Sequence, residues 1–291
     1  MTYELKKIAI VGAGGKMGMR ISANLQTSHY SVTYCENSPR AQEQIVAAGR
    51  ELSVTNEVVP QADVVILAVP DIALEAVSAQ IVPQMKSGAI LLTLDPAASY
   101  AGLLAQRENI HQAVAHPCHP SVFLERTTKE EHADAFGGNA AVQDVCAAFE
   151  SGNDKQRSEL ANIIAVMYGP VGVVHWVTVK QLAYLEPTLV ETVACMVGTF
   201  MKEALDETIN RIGVPEAAAK AMLYGHIQIA LAVAFRSTNP FSDACMIAID
   251  YGREKIIKPD WKTIFDEEEL DLIIARMLKI DAVRKVKADA A

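Results

Sequence analysis

Short runs rich in β-branched and other apolar residues alternate with helical patterns through the first half of the chain. Ile8–Val11 and Ser31–Cys35 flank a helical pattern over Met17–Leu25, which is the order of a βαβ unit. Further strand-like runs cover Val64–Val69, Ala89–Leu94 and Gln112–Ala115. A helical segment over 72–85 separates the first two of these runs. Strands that are apolar on both faces are typical of a parallel sheet covered by helices. The pattern predicts an α/β fold, a doubly wound parallel Rossmann sheet.

The pattern changes after Val179. The segments 182–212 and 215–235 are predicted as long helices with apolar residues on nearly all sides, and no strand pattern follows. Before the change, strands are predicted over 140–145 and 171–176, around a helix over 155–167. We therefore predict a Rossmann domain over residues 1–178 and an all-α substrate and dimerisation domain over 179–291. Helices this apolar need more cover than a small domain supplies, which predicts a homodimer.

Composition narrows the partners and the compartment. The chain of 291 residues is 51% hydrophobic with a net charge of −9, and a negative protein repels phosphate backbones, so nucleic acid is not an expected partner. No run reaches the roughly 20 uninterrupted apolar residues of a membrane helix, so no membrane partner is expected either. The five cysteines are odd in number, widely spaced and form no CxxC pair, which indicates a reducing, cytoplasmic location.

A glycine-rich turn joins the first predicted strand to the first helix. Its residues are Gly12, Ala13, Gly14, Gly15, Lys16, Met17 and Gly18. Gly12, Gly15 and Gly18 have GxxGxxG spacing, one residue longer than the commonest dinucleotide fingerprint. Glycines allow the backbone to approach a pyrophosphate, and the helix N-terminus supplies N–H groups and a positive dipole. The turn is therefore predicted to bind the cofactor, with a merely flexible turn as the alternative.

Two carboxylates follow the second and third predicted strands. Glu36 ends the second strand, where a carboxylate accepts hydrogen bonds from the adenosine ribose and repels a 2′-phosphate. This predicts NAD rather than NADP, and a solvated glutamate is the alternative. Asp71 follows the third strand at the carboxyl edge of the sheet, where the ligand crevice lies. We expect its backbone to line the cofactor, although its carboxylate is equally suited to capping a helix.

Two histidines are predicted to leave the sheet at the same edge. His116-Pro117-Cys118-His119-Pro120 directly follows the strand over 112–115, which places both imidazoles beside the expected nicotinamide. An imidazole suits removal of a hydroxyl proton during hydride transfer, and two prolines stiffen the loop. His116 and His119 are therefore predicted to be catalytic. The alternatives are a structural histidine pair and a zinc site, which would lack a second ligand pair.

A proline interrupts the apolar helix pattern of the second domain. Pro187 lacks a backbone N–H and disfavours helical geometry at Glu186, so the helix is expected to start, break or kink there, with Glu186 at its entrance. Glu191 is five residues on, about 140° around an α-helix, and His226 lies among apolar residues of the next helix. Glu186 is a candidate catalytic residue, and Glu186, Glu191 and His226 are a candidate set for a divalent metal ion. A buried histidine bonded to the backbone is the alternative for His226.

Remaining polar signals are weaker. Ser242 is predicted to cap a helix after the turn at Pro240. Lys180 is a candidate acid/base or an anchor for a substrate carboxylate, with an exposed junction lysine as the alternative. Candidate anion clamps, which a dimer could offer to its partner, are Arg236, Arg253 and Lys255.

Nearly the whole chain resembles the D-apionate oxidoisomerase-like family, in which a Rossmann NAD-binding domain precedes a phosphogluconate dehydrogenase-like C-terminal domain. The segments that carry the resemblance are Ala115–Phe123 (AHPCHPSVF), Leu185–Val193 (LEPTLVETV), Gly225-His226, Pro240–Asp243 (PFSD) and Lys258–Lys262 (KPDWK). More distantly, GAGGKMG resembles the cofactor turn of dihydrodipicolinate reductases, and a histidine after this strand resembles prephenate dehydrogenases. The ketol-acid reductoisomerase pattern of carboxylates four apart on one helix is absent.

The resemblance implies NAD-dependent oxidation of a branched sugar acid followed by carbon migration, from D-apionate to 3-oxo-isoapionate. It also implies a divalent ion that binds both oxygens during migration. Two alternatives stay open from the residues themselves. One is an NAD-dependent dehydrogenase of another 2- or 3-hydroxy acid without skeletal rearrangement, and the other is a non-enzymatic NAD(H)-sensing dimer.

Overall fold

A computed structural model describes residues 6–237 and 239–284 of the chain. Its strands are β1 (Lys7–Val11), β2 (Ser31–Cys35), β3 (Val64–Leu67), β4 (Ile90–Thr93), β5 (His111–Pro117), β6 (Gln143–Ala148) and β7 (Val171–Trp176). They form one sheet in the order β2-β1-β3-β4-β5-β6-β7. Strands β1 to β5 are all parallel to one another, so the predicted doubly wound Rossmann sheet is confirmed.

The sheet reverses direction at its sixth strand. β6 runs antiparallel to β5, and β7 runs parallel to β6. The strand predicted over 140–145 was placed three residues too early, because the backbone before β6 is held as a loop. There the Asp134 carboxylate accepts N–H groups from Asn139, Ala140 and Ala141 at 2.9–3.1 Å. Those N–H groups are consequently unavailable to a strand ladder.

Helices cover both faces of the sheet. In chain order they are α1 (Lys16–Gln26), α2 (Pro39–Ala47), α3 (Thr55–Val58), α4 (Leu74–Ile81), α5 (Ala97–Tyr100), α6 (Lys129–Ala133), α7 (Asp154–Met167) and α8 (Val179–Ala183). Helix α1 buries Ile21 and Leu25 against the fully buried Ile8 and Ile10 of β1. This packing fixes the N-terminus of α1 above the carboxyl end of β1, where the glycine-rich turn lies.

A π-helix follows α8 and carries Pro187. It spans Tyr184–Cys195 and runs directly into α9 (Met196–Asn210). Pro187 does interrupt the α-helical geometry, as predicted, and the interruption is a π-helix that widens the turn without ending the helical run. Glu186 consequently lies inside a helical run rather than at a helix entrance. The α-helical angle between Glu186 and Glu191 does not apply to this segment either.

The remaining helices are α10 (Glu216–Arg236), α11 (Asp243–Ile256) and α12 (Glu267–Leu278). Ser242 caps α11, with its hydroxyl accepting the Cys245 N–H at 3.2 Å, so that prediction is confirmed.

The chain forms two compact units. The N-terminal unit runs to Leu185 and resumes at Asp271, and the helical unit is Glu186–Leu270. The predicted domain boundary after residue 178 stays a prediction.

Helix α10 is apolar yet largely uncovered. Among its residues only Ala219 is buried, and Met222, Ile229 and Phe235 are exposed. By length and composition α10 is the one described helix that could cross a membrane, with a mean hydropathy of 1.3 over its best window. A single helix of this kind is weak support for a membrane span, and Lys220, His226 and Gln228 interrupt its apolar surface.

Candidate active site

The glycine-rich turn lies where the sequence predicts it, between β1 and α1. Gly12 has a φ of +83°, and a Cβ on it would lie 2.6 Å from the Ala68 carbonyl oxygen. A Cβ on Gly18 would lie 2.1 Å from the Gly12 oxygen, and one on Gly14 would lie 2.4 Å from the Ala41 oxygen. Gly15 has room for a Cβ, with no atom nearer than 3.4 Å. Glycine is therefore sterically required at positions 12, 14 and 18. The middle glycine of this set is Gly14, whereas the predicted spacing had Gly15 there.

Glu36 follows β2 and is bound to the glycine-rich turn. Its carboxylate accepts the Gly14 N–H at 3.1 Å, and its other oxygen accepts the N–H groups of Asn37 and Ser38 at 2.8 and 3.0 Å. A carboxylate has about four lone-pair sites, so it retains capacity for a ribose hydroxyl. The contact also places a negative charge where an NADP 2′-phosphate would lie.

Two clefts open at the carboxyl edge of the sheet within the N-terminal unit. The outer cleft, of about 830 Å³, is lined by Gly12, Glu36, Asn37, Ser53 and Thr55 among others. The inner cleft, of about 350 Å³, is lined by Lys16, Asp71, Asp95, His116, His119 and Tyr168 among others. Both clefts include Val69 and Pro70, after β3. Because strand order reverses between β1 and β3, this is the switch point at which Rossmann sheets bind dinucleotides.

His116 lies within β5 and lines the inner cleft. The strand is longer than predicted, so His116 is its penultimate residue, opposite Cys146, rather than part of the following loop. Its Nδ1 contacts the Leu94 carbonyl oxygen at 3.0 Å. Because a carbonyl can only accept, Nδ1 carries the proton and Nε2 carries the lone pair of the neutral ring. Burial of the ring lowers the pKa of His116 to about 4, although a quarter of the side chain stays exposed.

His119 is fixed by the backbone and by Phe136. Its φ is +60°, a left-handed conformation uncommon for residues other than glycine, and its Nδ1 donates to the Phe136 carbonyl at 2.8 Å. The Phe136 ring lies edge-on to the His119 imidazole, with centroids 5.7 Å apart. The Lys16 ammonium lies 5.0 Å from the centre of the same ring. Phe136 therefore links a cation of the glycine-rich turn to the second histidine.

Asp71 is half-buried at the inner cleft as predicted from its place after β3, and burial raises the pKa of its carboxyl group.

Two further residues of this cleft were not predicted from the sequence. Asp95 follows β4, caps the Ala97 N–H at 2.8 Å and lies 4.0 Å from His116 Nδ1. Tyr168 is buried and donates its hydroxyl to the Ala115 carbonyl at 2.8 Å, and burial raises its pKa. The strand-end rule applied to Asp71 also finds Asp95, whereas no sequence signal marks Tyr168.

The predicted metal set is not assembled within the helical unit. Glu186 is buried, while Glu191 and His226 are exposed. The ligand atoms of these three residues do not all lie within 4.8 Å of one another. His226 Nδ1 donates to the Met222 carbonyl at 2.8 Å, as the alternative for His226 expected, but the side chain is not buried. These residues as placed do not fit a shared ion, because one ion holds its ligands within about 2–2.6 Å.

The candidate basic residues share one property: all of them are exposed. They are Lys180, Arg236, Arg253 and Lys255. Their role toward a substrate carboxylate stays a prediction.

A Rossmann sheet, a crowded phosphate-binding turn, an acidic strand end and a neutral imidazole on one rim define a dinucleotide-dependent oxidoreductase. Each half of the chain matches the model of a known protein family. Residues 3–140 match the NADPH-binding domain of acetohydroxy acid isomeroreductases, and residues 124–278 match the C-terminal domain of decarboxylating phosphogluconate dehydrogenase.

Curated relatives match along almost the whole chain. D-apionate oxidoisomerase of Pectobacterium atrosepticum is 77% identical over 98% of this chain and 100% of its own length. The enzyme of the same name from Cupriavidus necator is 41% identical over 94% of this chain and 99% of its own. The chain belongs to the D-apionate oxidoisomerase family.

Solved structures agree. A semialdehyde dehydrogenase NAD-binding protein from Cupriavidus necator, in complex with calcium and NAD, superposes with a TM-score of 0.90 at 41% identity, over 94% of this chain and 99% of its own. An NADH-preferring ketol-acid reductoisomerase from an uncultured archaeon shares the fold, with a TM-score of 0.66 at 18% identity over 94% of this chain and 82% of its own. The predicted Rossmann and phosphogluconate dehydrogenase-like architecture is therefore confirmed.

Proposed function

We propose that this chain is an NAD-dependent oxidoisomerase that converts D-apionate, a branched sugar acid, to 3-oxo-isoapionate. The observation that carries the proposal is the neutral His116 imidazole on the wall of a cleft that adjoins the phosphate-binding turn. The 77% identity to a D-apionate oxidoisomerase supports the choice of substrate.

The oxidation step needs a base beside the cofactor. Oxidation of a secondary alcohol removes a hydride from carbon and a proton from oxygen, and NAD, when bound, accepts the hydride. His116 Nε2 has the lone pair that takes the proton, because Nδ1 is committed to the Leu94 carbonyl. Low pKa keeps the ring unprotonated at neutral pH, so the base is ready before substrate arrives.

The isomerisation step also moves a proton. A carbon migrates with its bonding electrons from the carbon bearing a hydroxyl to the neighbouring new carbonyl carbon. The hydroxyl loses its proton as it becomes the new carbonyl, and the former carbonyl oxygen gains one. His116 and His119, whose rings are 6.5 Å apart, are the groups proposed to carry this proton and to orient the substrate. Glu186 is retained as a proposed catalytic residue on the strength of its burial alone.

Cofactor choice is proposed to favour NAD through Glu36. The carboxylate beside Gly14 repels a 2′-phosphate but accepts a ribose hydroxyl. NAD bound to the solved relative from Cupriavidus necator supports this choice.

A divalent ion is proposed as a second cofactor, supported by the calcium bound to the same relative. No step above depends on it, since the predicted ligand set does not converge within the helical unit. The test is a panel of sugar acids screened for NADH formation with and without thorough chelation. Loss of turnover that added divalent ion restores supports the ion, and unchanged turnover removes it.

We propose that the chain forms a homodimer in which a second copy covers the exposed apolar surface of the helical unit. Exposed apolar side chains along α10 and α11 include Ile229 and Ile247, and soluble monomers rarely expose contiguous apolar patches beyond a few hundred Å². A groove of about 470 Å³ between α9 and α10, lined by Phe200, Leu205 and Met222 among others, offers space for the side chains of a second copy. Light scattering after gel filtration tests this. Ile229→Asp should yield monomer, whereas the equally exposed Val46→Asp on α2 should leave the dimer intact.

Residence in the cytoplasm is proposed as well, supported by five free cysteines. Fractionation of cells that express the full-length chain tests it, and recovery outside the soluble cytoplasmic fraction would contradict it.

A non-enzymatic NAD(H) sensor is the rival of another class. Replacement of both His116 and His119 by asparagine separates the two. An enzyme loses turnover while it keeps NADH affinity, whereas a sensor never turns over substrate and keeps its partner response.

A further inference from the structure

Two thiols meet at the end of β5, next to the catalytic candidates. Cys118 directly follows the last residue of β5 and lies between His116 and His119 in sequence. Cys146 lies in β6, opposite His116. The Cys118 Sγ donates to the Cys146 Sγ over 3.7 Å. Both thiols are free, Cys118 is exposed and Cys146 is partly exposed, so small solutes can reach them.

A hydrogen-bonded histidine stands beside the pair. His175 of β7 lies opposite Cys146 in the parallel register, and its Nε2 is 2.9 Å from the Asp144 carboxylate. Asp144 also accepts the Val173 N–H, which fixes the carboxylate between β6 and β7. The hydrogen bond from Cys118, opposed by burial and assisted by the nearby His175, lowers the pKa of Cys146 to about 7. The same hydrogen bond raises the pKa of Cys118.

We propose that Cys118 and Cys146 form a modification site that a hydroperoxide oxidises to an intramolecular disulfide. Nothing in the oxidoisomerase reaction uses either sulfur. The arrangement contrasts with the remaining thiols, of which Cys35 is buried and Cys195 is exposed without a described thiol neighbour.

The two-electron chemistry assigns a different role to each sulfur. The Cys146 thiolate attacks the terminal peroxide oxygen, the O–O bond breaks, and the leaving alkoxide takes a proton to become an alcohol. Cys146 is then a sulfenic acid. The Cys118 sulfur attacks the Cys146 sulfur, the S–O bond breaks, and hydroxide leaves as water after taking the Cys118 proton. Two thiols and one hydroperoxide thus yield one disulfide, one alcohol and one water.

Closing the disulfide must move the end of β5. The two sulfurs have to approach from 3.7 Å to about 2.05 Å. Diagonal neighbours of an antiparallel pair have Cα atoms about 7–8 Å apart, beyond the roughly 4.4–6.8 Å that a disulfide usually spans. Cys118 lies just beyond the last residue of β5, where its N–H donates to the Asp144 carbonyl at 2.9 Å. We expect this side of the pair to shift, and the shift strains that terminal hydrogen bond. The shift displaces the two flanking histidines.

The effect on turnover rests on the proposed function, whereas formation of the disulfide does not. A misplacement of about 1 Å at a reacting group costs about 100-fold in rate, and we expect a loss of that size in kcat. Reduction by dithiothreitol should restore the activity.

Peptide mapping tests the site in the intact protein. The native chain is treated with tert-butyl hydroperoxide, alkylated, and digested with trypsin without reduction. Cleavage after Arg107 and Arg126, and after Lys129 and Lys155, leaves Cys118 in peptide 108–126 and Cys146 in peptide 130–155. A species joining these two peptides, lost on reduction, is the expected result.

Variants separate the outcomes. Cys146→Ser should keep its activity after peroxide treatment, and the matched control Cys195→Ser should be inactivated like the wild type. Absence of the joined peptides overturns the proposal, and joined peptides with undiminished turnover overturn the expected displacement of His116 and His119. If the peptides join but the untreated protein never oxidises D-apionate, the proposed function fails and the modification site stands.

Discussion

The imidazole of His116, on β5, donates from Nδ1 to the main-chain carbonyl of Leu94, 3.0 Å away at the end of β4. Two neighbouring strands of the sheet thereby set the tautomer of one side chain. A main-chain carbonyl cannot be titrated or rotated away, so the lone pair on Nε2 is maintained at any pH where the ring is neutral. Burial lowers the pKa of the His116 ring, so the ring stays neutral to a lower pH.

Removal of this imidazole should abolish proton transfer while leaving the cofactor clefts intact. His116→Asn is expected to lower kcat by about 10²–10⁴-fold, the usual contribution of a general base, with NADH affinity unchanged. The matched control is His132→Asn, because His132 is exposed on α6 and is not among the residues that line the two clefts. Steady-state kinetics and a fluorescence titration with NADH measure the two quantities. Equal kcat for wild type and His116→Asn would contradict the assignment.

The same side chain should make stability fall in acid. Unfolded histidine gains a proton below pH 6.5, whereas folded His116 gains one only near pH 4. Between these values the unfolded chain binds more protons, so the free energy of unfolding decreases as the pH falls. A shift of this size corresponds to about 3 kcal/mol across the window.

Denaturant titrations from pH 7 to 4 measure this contribution. The decrease should be about 3 kcal/mol smaller in His116→Asn than in the wild type, and His132→Asn should behave as the wild type does. Parallel pH profiles for all three proteins would mean that His116 titrates normally.

Charge at position 36 should decide between the two dinucleotides. Glu36→Gln keeps the length of the side chain but removes the repulsion of a 2′-phosphate, so the ratio of kcat/KM for NAD over NADP should fall by about 100-fold, as close like charges cost several kcal/mol. Glu43→Gln, on the exposed side of α2, is the control and should leave the ratio unchanged. A ratio unaffected by Glu36→Gln would place the discriminating group elsewhere.

The crowding of the glycine-rich turn makes a paired prediction. Alanine at position 18 brings its Cβ within 2.1 Å of the Gly12 oxygen, whereas alanine at position 15 meets nothing nearer than 3.4 Å. Gly18→Ala should therefore lower the free energy of unfolding by about 1–3 kcal/mol, and Gly15→Ala should leave it nearly unchanged. Unfolding is measured without NAD, so that lost cofactor contacts do not contribute. Equal stability of the two variants would contradict the packing described for the turn.

The central strands β1, β3 and β4 could be predicted because they are buried on both faces and therefore appear as apolar runs. β1, β2 and β7 lie where their patterns indicate, whereas the start of β6 was misplaced because the Asp134 loop depends on contacts that composition does not reveal. The π-helix at Pro187 was missed for a related reason, since local rules predict only that proline disturbs an α-helix.

The residues of the candidate site likewise divide into those that local sequence predicted and those that depend on distant contacts. Strand ends predicted the places of Glu36, Asp71 and His116, because parallel strands deliver their carboxyl ends to one edge. Tyr168 was beyond prediction, since its role depends on the Ala115 carbonyl, 53 residues earlier in the chain. The orientation of His119 depends likewise on the Phe136 carbonyl and ring.

The most direct test of the central claim is carbon NMR of the product formed from isotopically labelled D-apionate and NAD by the purified chain. The account predicts NADH formation with a rearranged carbon skeleton, and loss of both in His116→Asn. NADH formation with the original skeleton retained, or no NADH at all, would contradict it.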